Sequence, residues 1–387
     1  MSAPLPLYGH ADVRRSLARA SRQDDLPGSL LIHGPPGVGK QSLGLWLARL
    51  LNCEAPGDQG PCDACTPCRL ANGLQHPDIH WFFPVPRPRV SGGPEKLADA
   101  LEEARAAELA ARRADPYRPT APGEPVGLYL AQVQTIRRLA AARPAMGRRK
   151  VFLIGDAELL VPQESSPEAA NALLKVLEEP PPATTFILTA ADPEGLLPTI
   201  RSRLLPIRLR PLPEGEVARF LVEQRGVAEP AARLTARLAQ GSIGRALGFL
   251  PAGDEPGPLE AIRQQARALL DAAAQTSPLP RLAAAHALPA TGARGAFTDL
   301  LDSLTLWIRD LAAASAGAQT LVVNADALDF LQRLARVLPN PAANAPAAIR
   351  AIDEARALAR TNTNPQLTLA WLLNSLHRIL SRPHPQD

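Results

Sequence analysis

Residues Leu30 to Ser42 read LLIHGPPGVGKQS, and the rest of the chain is read outward from them. A short apolar run, Ser29 to Ile32, has the character of a buried strand and ends in Gly34-Pro35-Pro36-Gly37-Val38-Gly39-Lys40. A helical pattern follows at once through Leu43, Trp46, Leu47, Leu50 and Leu51. Strand, glycine-rich loop and helix in that order turn backbone N–H groups and a helix N-terminus toward an anion. The spacing is that of a P-loop, with Gly34, Gly37 and Gly39 in the loop and Lys40 placed to reach the β- and γ-phosphates. The motif asks for Ser or Thr after the lysine, whose hydroxyl binds Mg²⁺, and this chain has Gln41. Ser42 stands one place on, about 100° round the helix, and does not substitute cleanly. The stretch predicts a phosphate cradle with an altered metal ligand.

The chain has 387 residues, enough for two or three domains. Hydrophobic residues make up 46% and charged residues 21%, which fits a globular protein with ample core. No run of about 18 apolar residues exists, and the opening MSAPLPLYGH lacks the regions of a signal peptide. The expectation is a cytoplasmic chain with no membrane association. A net charge of +4 permits nucleic acid without demanding it. The 41 prolines, about double the ordinary share of roughly 5%, punctuate linkers and turns.

Every cysteine lies between Asn52 and His76, spaced Cys53-x8-Cys62-x2-Cys65-x2-Cys68. Thiolates this close together in a reducing compartment suit tetrahedral Zn²⁺, and four of them leave no open position for catalysis. Disulfides are disfavoured in a cytosolic chain, and no redox context points to an Fe–S cluster. Structural zinc is the expectation.

A first helix is expected over His10–Gln23, and a strand over Asp78–Phe83. Between them and the next strand lies a proline-rich insertion, 84–127, built around a charged helix, Glu95–Arg113. After a helix at Val133–Ala142 comes the buried-type strand Lys150–Ile154, ending at Gly155-Asp156-Ala157-Glu158. In a P-loop ATPase this strand end carries an Asp for Mg²⁺ and often a Glu for water. Neither register here supplies both, and Asp156 and Glu158 are equally consistent with solvated turn residues. Ser166–Glu179 reads as a helix with Ser166 as N-cap and Pro167 at the first turn. A strand at Thr184–Thr189, a short helix at Leu196–Arg203 and a strand at Leu204–Leu209 complete the alternation, which argues a parallel α/β sheet over 1–210. Beyond Pro211-Leu212-Pro213 the pattern is helical only: a small lid over 211–250, a linker at Pro251–Pro258, then four or five amphipathic helices over 259–387. Trp307 and Trp371 fall on apolar faces, which predicts core packing. The basic run Arg148, Arg149 and Lys150 reads as a solvated charge run before a DNA contact.

These residues resemble a family. A P-loop followed by a four-cysteine module, then ANALLKVLEEPPPATTFIL and LLPTIRSR, is similar to the bacterial clamp-loader ATPases of DNA polymerase III. The C-terminal bundle matches more weakly, through Asn362-x-Asn364-Pro365-x-Leu367. The resemblance implies an AAA+ domain with a zinc module and helical lid, followed by an all-α collar. Within the family the γ/τ subunits hydrolyse ATP, and the δ′ branch has usually lost that ability. Gln41 after Lys40, the Gly155-Asp156-Ala157 strand end and Arg245 one place late after Gly241-Ser242-Ile243-Gly244 place the chain with δ′. Ser202-Arg203-Leu204 keeps the family's Ser-Arg-Cys arginine, which points into a neighbour's ATP site; outside the motif, Arg203 would read as a surface salt bridge. The implied partners are γ/τ and δ subunits, the sliding clamp and primed DNA through the complex. ATP held passively by Lys40 is compatible with this. A γ-type working ATPase is the first alternative, and a zinc-bearing P-loop repair or helicase-like enzyme the second, though aromatic residues are only 4% of the chain.

Overall fold

A computed structural model describes residues 7–90, 93–117, 126–160, 168–289, 294–359 and 363–383. These fall into two compact units. The first runs to Phe220 and includes Gln240–Gly244; the second holds Leu221–Ala239 and the chain from Arg245 on.

The first unit opens with α1 (Ala11–Arg22), β1 (Ser29–His33), α2 (Lys40–Asn52) and α3 (Thr66–Asn72). β2 (Ile79–Phe82) leads into the insertion, which leaves through β3 (Val85–Pro86), carries α4 (Pro94–Ala114) and returns through β4 (Val126–Gly127). β3 and β4 pair antiparallel, closing the base of the insertion. Then come α5 (Leu130–Ala140), β5 (Lys150–Ile154), α6 (Glu168–Glu178), β6 (Thr184–Ala190), α7 (Pro198–Arg201) and β7 (Leu205–Arg208). The main sheet has the order β2-β5-β6-β1-β7 and is parallel throughout.

Both faces of that sheet are covered, as a parallel sheet requires. Alternate residues divide between them. Leu30 and Ile32 of β1 and Val151 and Leu153 of β5 pack with Leu17 of α1 and Leu43, Trp46 and Leu47 of α2. Leu31, Phe152, Ile154 and Phe186 face Val133 and Ile136 of α5 and Leu173 and Leu177 of α6. The continuous apolar runs KVFLI and TTFILTA are therefore buried at every position. Lys150 is part of that burial, 5% exposed, with Nζ donating to Leu139 O and Ala142 O. It caps the end of α5 and is not in a solvated charge run. Ser166 and Pro167 lie outside the described residues.

Helices alone follow: α8 (Glu214–Arg225), α9 (Glu229–Ala239) and α10 (Ile243–Phe249). α11 (Pro258–Ala274), α12 (Leu279–His286), α13 (Arg294–Ser315), α14 (Leu328–Val337), α15 (Pro341–Ala359) and α16 (Pro365–Leu380) complete the chain. α12 was not foreseen. It is short, and Leu279 and Leu282 point outward at 72% and 50% exposure, so its apolar period is broken. One core joins these last helices through Leu270, Trp307, Leu331, Ile352 and Leu376. Trp307 is buried, and its indole N–H donates to Arg263 O at 3.1 Å. Trp371 corrects the sequence expectation: it is 38% exposed and outside that core. Asn364 caps α16 by accepting from Gln366 N, while Asn362 lies outside the described residues.

Candidate functional site: an altered P-loop, a thiolate cluster and an exposed arginine

The loop Gly34–Gly39 joins β1 to α2, where the motif predicts it. Lys40 is 5% exposed, and Nζ donates to Gly34 O at 2.9 Å and Pro35 O at 3.0 Å. Its ammonium is thus satisfied by the loop that carries it. Burial lowers its pKa, partly offset by Asp156 and Glu158. The turn Gln240–Gly244 sits on the same loop: Ser242 Oγ donates to Pro36 O at 2.9 Å, and Gly244 N to Gly37 O at 2.9 Å. Gly37 has φ 72, and a Cβ there would stand 2.4 Å from Ser242 Oγ, so only glycine fits. His10 Nε2 meets Val38 O at 2.8 Å from the other side.

Gln41 lies where the motif's metal-binding hydroxyl would be. Its Nε2 donates to Asp156 Oδ2 at 3.0 Å, and its Oε1 accepts from Trp81 Nε1 at 3.1 Å. An indole N–H only donates, which fixes the amide's orientation. Gly155 belongs to the same arrangement: a Cβ there would lie 2.8 Å from the Gln41 amide. An aspartate at 155, where one of the two registers would put the metal's carboxylate, would require the Gln41 amide to swing away from Asp156 and Trp81. Asp156 and Glu158 are half-buried, not solvated. Burial raises the pKa of both carboxyls; at Asp156, Lys40 and Arg112 oppose it. Glu158 Oε1 accepts from Ala191 N at 2.7 Å, fastening the turn after β6. Ser42 lies in the first turn of α2, half-buried and one place on from Gln41. As they lie, these residues present no hydroxyl–carboxylate pair to Mg²⁺: the Gln41 amide oxygen is taken by Trp81 and its nitrogen by Asp156.

The four cysteines gather at one end of α2. Cys53 caps α2, Cys65 precedes α3 and Cys68 lies within it. All four Sγ atoms lie within 4.8 Å of one another. Tetrahedral zinc with Zn–S near 2.3 Å puts sulfurs about 3.8 Å apart, so the donor set fits such an ion. Cys62 N donates to Cys53 Sγ at 3.2 Å and Cys65 N to Cys62 Sγ at 3.4 Å. Arg49, one turn before Cys53 and 6% exposed, pairs with Asp63 at 3.1 Å and hydrogen-bonds Asn72. Sequence reasoning missed it because its partners lie across the module.

Arg203 follows α7. Its Nη1 donates to Thr199 O at 2.8 Å, and Nη2 pairs with Glu178 at 2.6 Å. The pair is open, with side chains 35% and 47% exposed. Leu204, in the family's cysteine slot, is buried in the core with Ile200 and Leu177. Arg245 faces Asp299, whose carboxyl is raised by burial and lowered in part by that arginine.

A family model described as "DNA polymerase III, delta subunit" matches residues 9–213. The chain belongs to this family. It is 31% identical over 219 residues to Escherichia coli DNA polymerase III subunit delta′, covering 57% of this chain and 53% of that protein. It is 30% identical over 246 residues to E. coli subunit tau, covering 62% and 31%. The chain thus spans about half or less of the curated relatives it matches. Among solved structures, a gamma subunit-related protein of Thermotoga maritima covers 95% of this chain and 99% of its own at 16% identity and a TM-score of 0.37. No helix among the described residues is long and apolar enough to cross a membrane.

Proposed function

We propose that this chain is a δ′-type subunit of a DNA polymerase III clamp loader, an AAA+ protein that assists ATP hydrolysis without performing it. The observation that carries this is the pairing of Gln41 with Asp156 where a motor subunit would hold a metal between hydroxyl and carboxylate. Arg203 supplies the complementary half. An open ion pair such as Arg203–Glu178 is worth about 0–1 kcal/mol, so the guanidinium exchanges readily onto a phosphate from outside. An arginine finger stabilises charge on a transferring phosphoryl group and needs no nucleotide in its own chain.

In this account γ/τ and δ are the partners, and the sliding clamp on primed DNA is the object of the complex. Helices α11–α16 form the collar, and Cys53, Cys62, Cys65 and Cys68 hold a structural zinc ion beside α2. Zinc bound there would neutralise the gathered thiolates and tie α2 to α3. The test is ATP turnover by the reconstituted loader with clamp and primed DNA. Arg203→Ala is expected to lower turnover at least about tenfold, with Arg203→Lys recovering little because the bidentate fork is lost. Turnover unchanged in Arg203→Ala would reject the trans role.

A further inference from the structure

The insertion between β2 and α5 stands beside the altered P-loop site through the edge strand β2. Its helix α4 packs against α5 and β3 and reaches residues of the edge strand β2 with two arginines. Arg105 Nη1 donates to Trp81 O at 3.2 Å, and its guanidinium stands 4.7 Å from the Phe82 ring centroid. Arg112 stands 4.7 Å from the Trp81 ring and 4.8 Å from Phe83, steadied by Glu108 at 2.8 Å. Trp81 is the indole that fixes Gln41, and Gln41 holds Asp156. One continuous set of contacts therefore runs from the insertion to the strand end opposite the P-loop.

We propose that Gln41, oriented by Trp81 and backed by Arg112 of the insertion helix, stands in for the divalent cation at Asp156. The chain's own groups supply what Mg²⁺ would supply in a motor: a donor to the carboxylate from the amide, and positive charge from Arg112 and Lys40. The insertion is then a positioning device for a metal-independent site. Arg112 over the indole is a cation–π contact of the kind that strengthens as water is excluded. Burial raises the Asp156 carboxyl overall, and Lys40, Arg112 and the Gln41 amide oppose it in part. The inference deepens the non-hydrolysing assignment of this site but concerns the chain by itself.

Gln41→Glu is the informative substitution, because it is isosteric. The new carboxylate still accepts from Trp81 but meets Asp156 with like charge, which creates a site that wants a cation. The zinc-loaded full chain is melted with and without millimolar Mg²⁺, in buffer free of chelator so that the thiolate site keeps its ion. The wild type is expected to be indifferent to Mg²⁺, with or without ATP. Gln41→Glu should melt roughly 2–6 °C lower, with most of the loss restored by Mg²⁺. Mn²⁺ uptake followed by electron paramagnetic resonance should appear in Gln41→Glu and not in the wild type. A purely structural glutamine predicts the loss without the rescue. A wild type stabilised by Mg²⁺, or a Gln41→Glu chain that Mg²⁺ does not restore, overturns the proposal. If Gln41→Glu does not fold, Arg112→Gln carries the test: it should gain sensitivity to Mg²⁺, and an insensitive Arg112→Gln overturns the proposal. Because these measurements use the chain alone, they succeed or fail separately from turnover in the assembled loader.

Discussion

Asp78 and His80 show how much of this molecule is settled at single buried residues outside the motifs. Asp78 is 1% exposed and accepts from the backbone N–H groups of Ala145, Met146 and Gly147 at 2.6, 2.8 and 2.7 Å. Burial acts to raise its pKa, but those three donors outweigh it and the carboxyl is held below its ordinary value. His80 stacks on Phe152 with ring centroids 5.0 Å apart. Burial, then Lys150 and Arg105, push it down to about 4. Both folded-state values lie below the unfolded ones, so both stabilise at neutral pH and lose that contribution as pH falls. For His80 the loss is confined to roughly pH 6.5 to 4. A chain carrying His80→Phe, which keeps the stack, should lose less stability between pH 7 and 4.5 than wild type in urea titrations. Equal losses would show that His80 does not set the acid limit. Gln41 was legible as a departure from its motif. Its partners were not, because Trp81 and Asp156 lie 40 and 115 positions away.

At the scale of elements, the parallel sheet was readable because its strands are short apolar runs between helical periods. The strand order was not, since period says which residues are buried and nothing about which strands adjoin. The cysteine module was legible from spacing alone, as two x2 gaps constrain neighbouring sulfurs strongly. Its seat at the end of the P-loop helix could be inferred only in part, and Arg49 not at all. We expect the purified chain to contain one zinc per molecule by mass spectrometry of the metal. Cys68→Ser should cost more than about 3 kcal/mol, because structural metal sites contribute folding energy directly. A metal-free chain of undiminished stability would remove zinc from the account. The misplaced Trp371 has a simple cause: helical period assigns a face, and α16 buries Leu369, Leu372, Leu373 and Leu376 to leave Trp371 beside that face.

At the scale of the molecule, the change from alternating to purely helical pattern marked where the α/β region ends. The division in space is less simple, because Gln240–Gly244 belongs with the first unit. Leu212 N donating to Gly241 O at 2.8 Å and Gly244 N donating to Gly37 O at 2.9 Å account for this, and no periodicity announces such bonds. The second unit has its own core, centred on fully buried Trp307. Trp307→Ala should destabilise it by roughly 3–5 kcal/mol in denaturant unfolding, with the loss in the transition that reports α11–α16. The central claim is that the chain serves ATP hydrolysis elsewhere while its own P-loop is not a motor. Its most direct test is Lys40→Ala in the reconstituted loader with clamp and primed DNA. Turnover close to that of wild type is the predicted result, and a collapse of turnover would mean that this P-loop hydrolyses ATP itself.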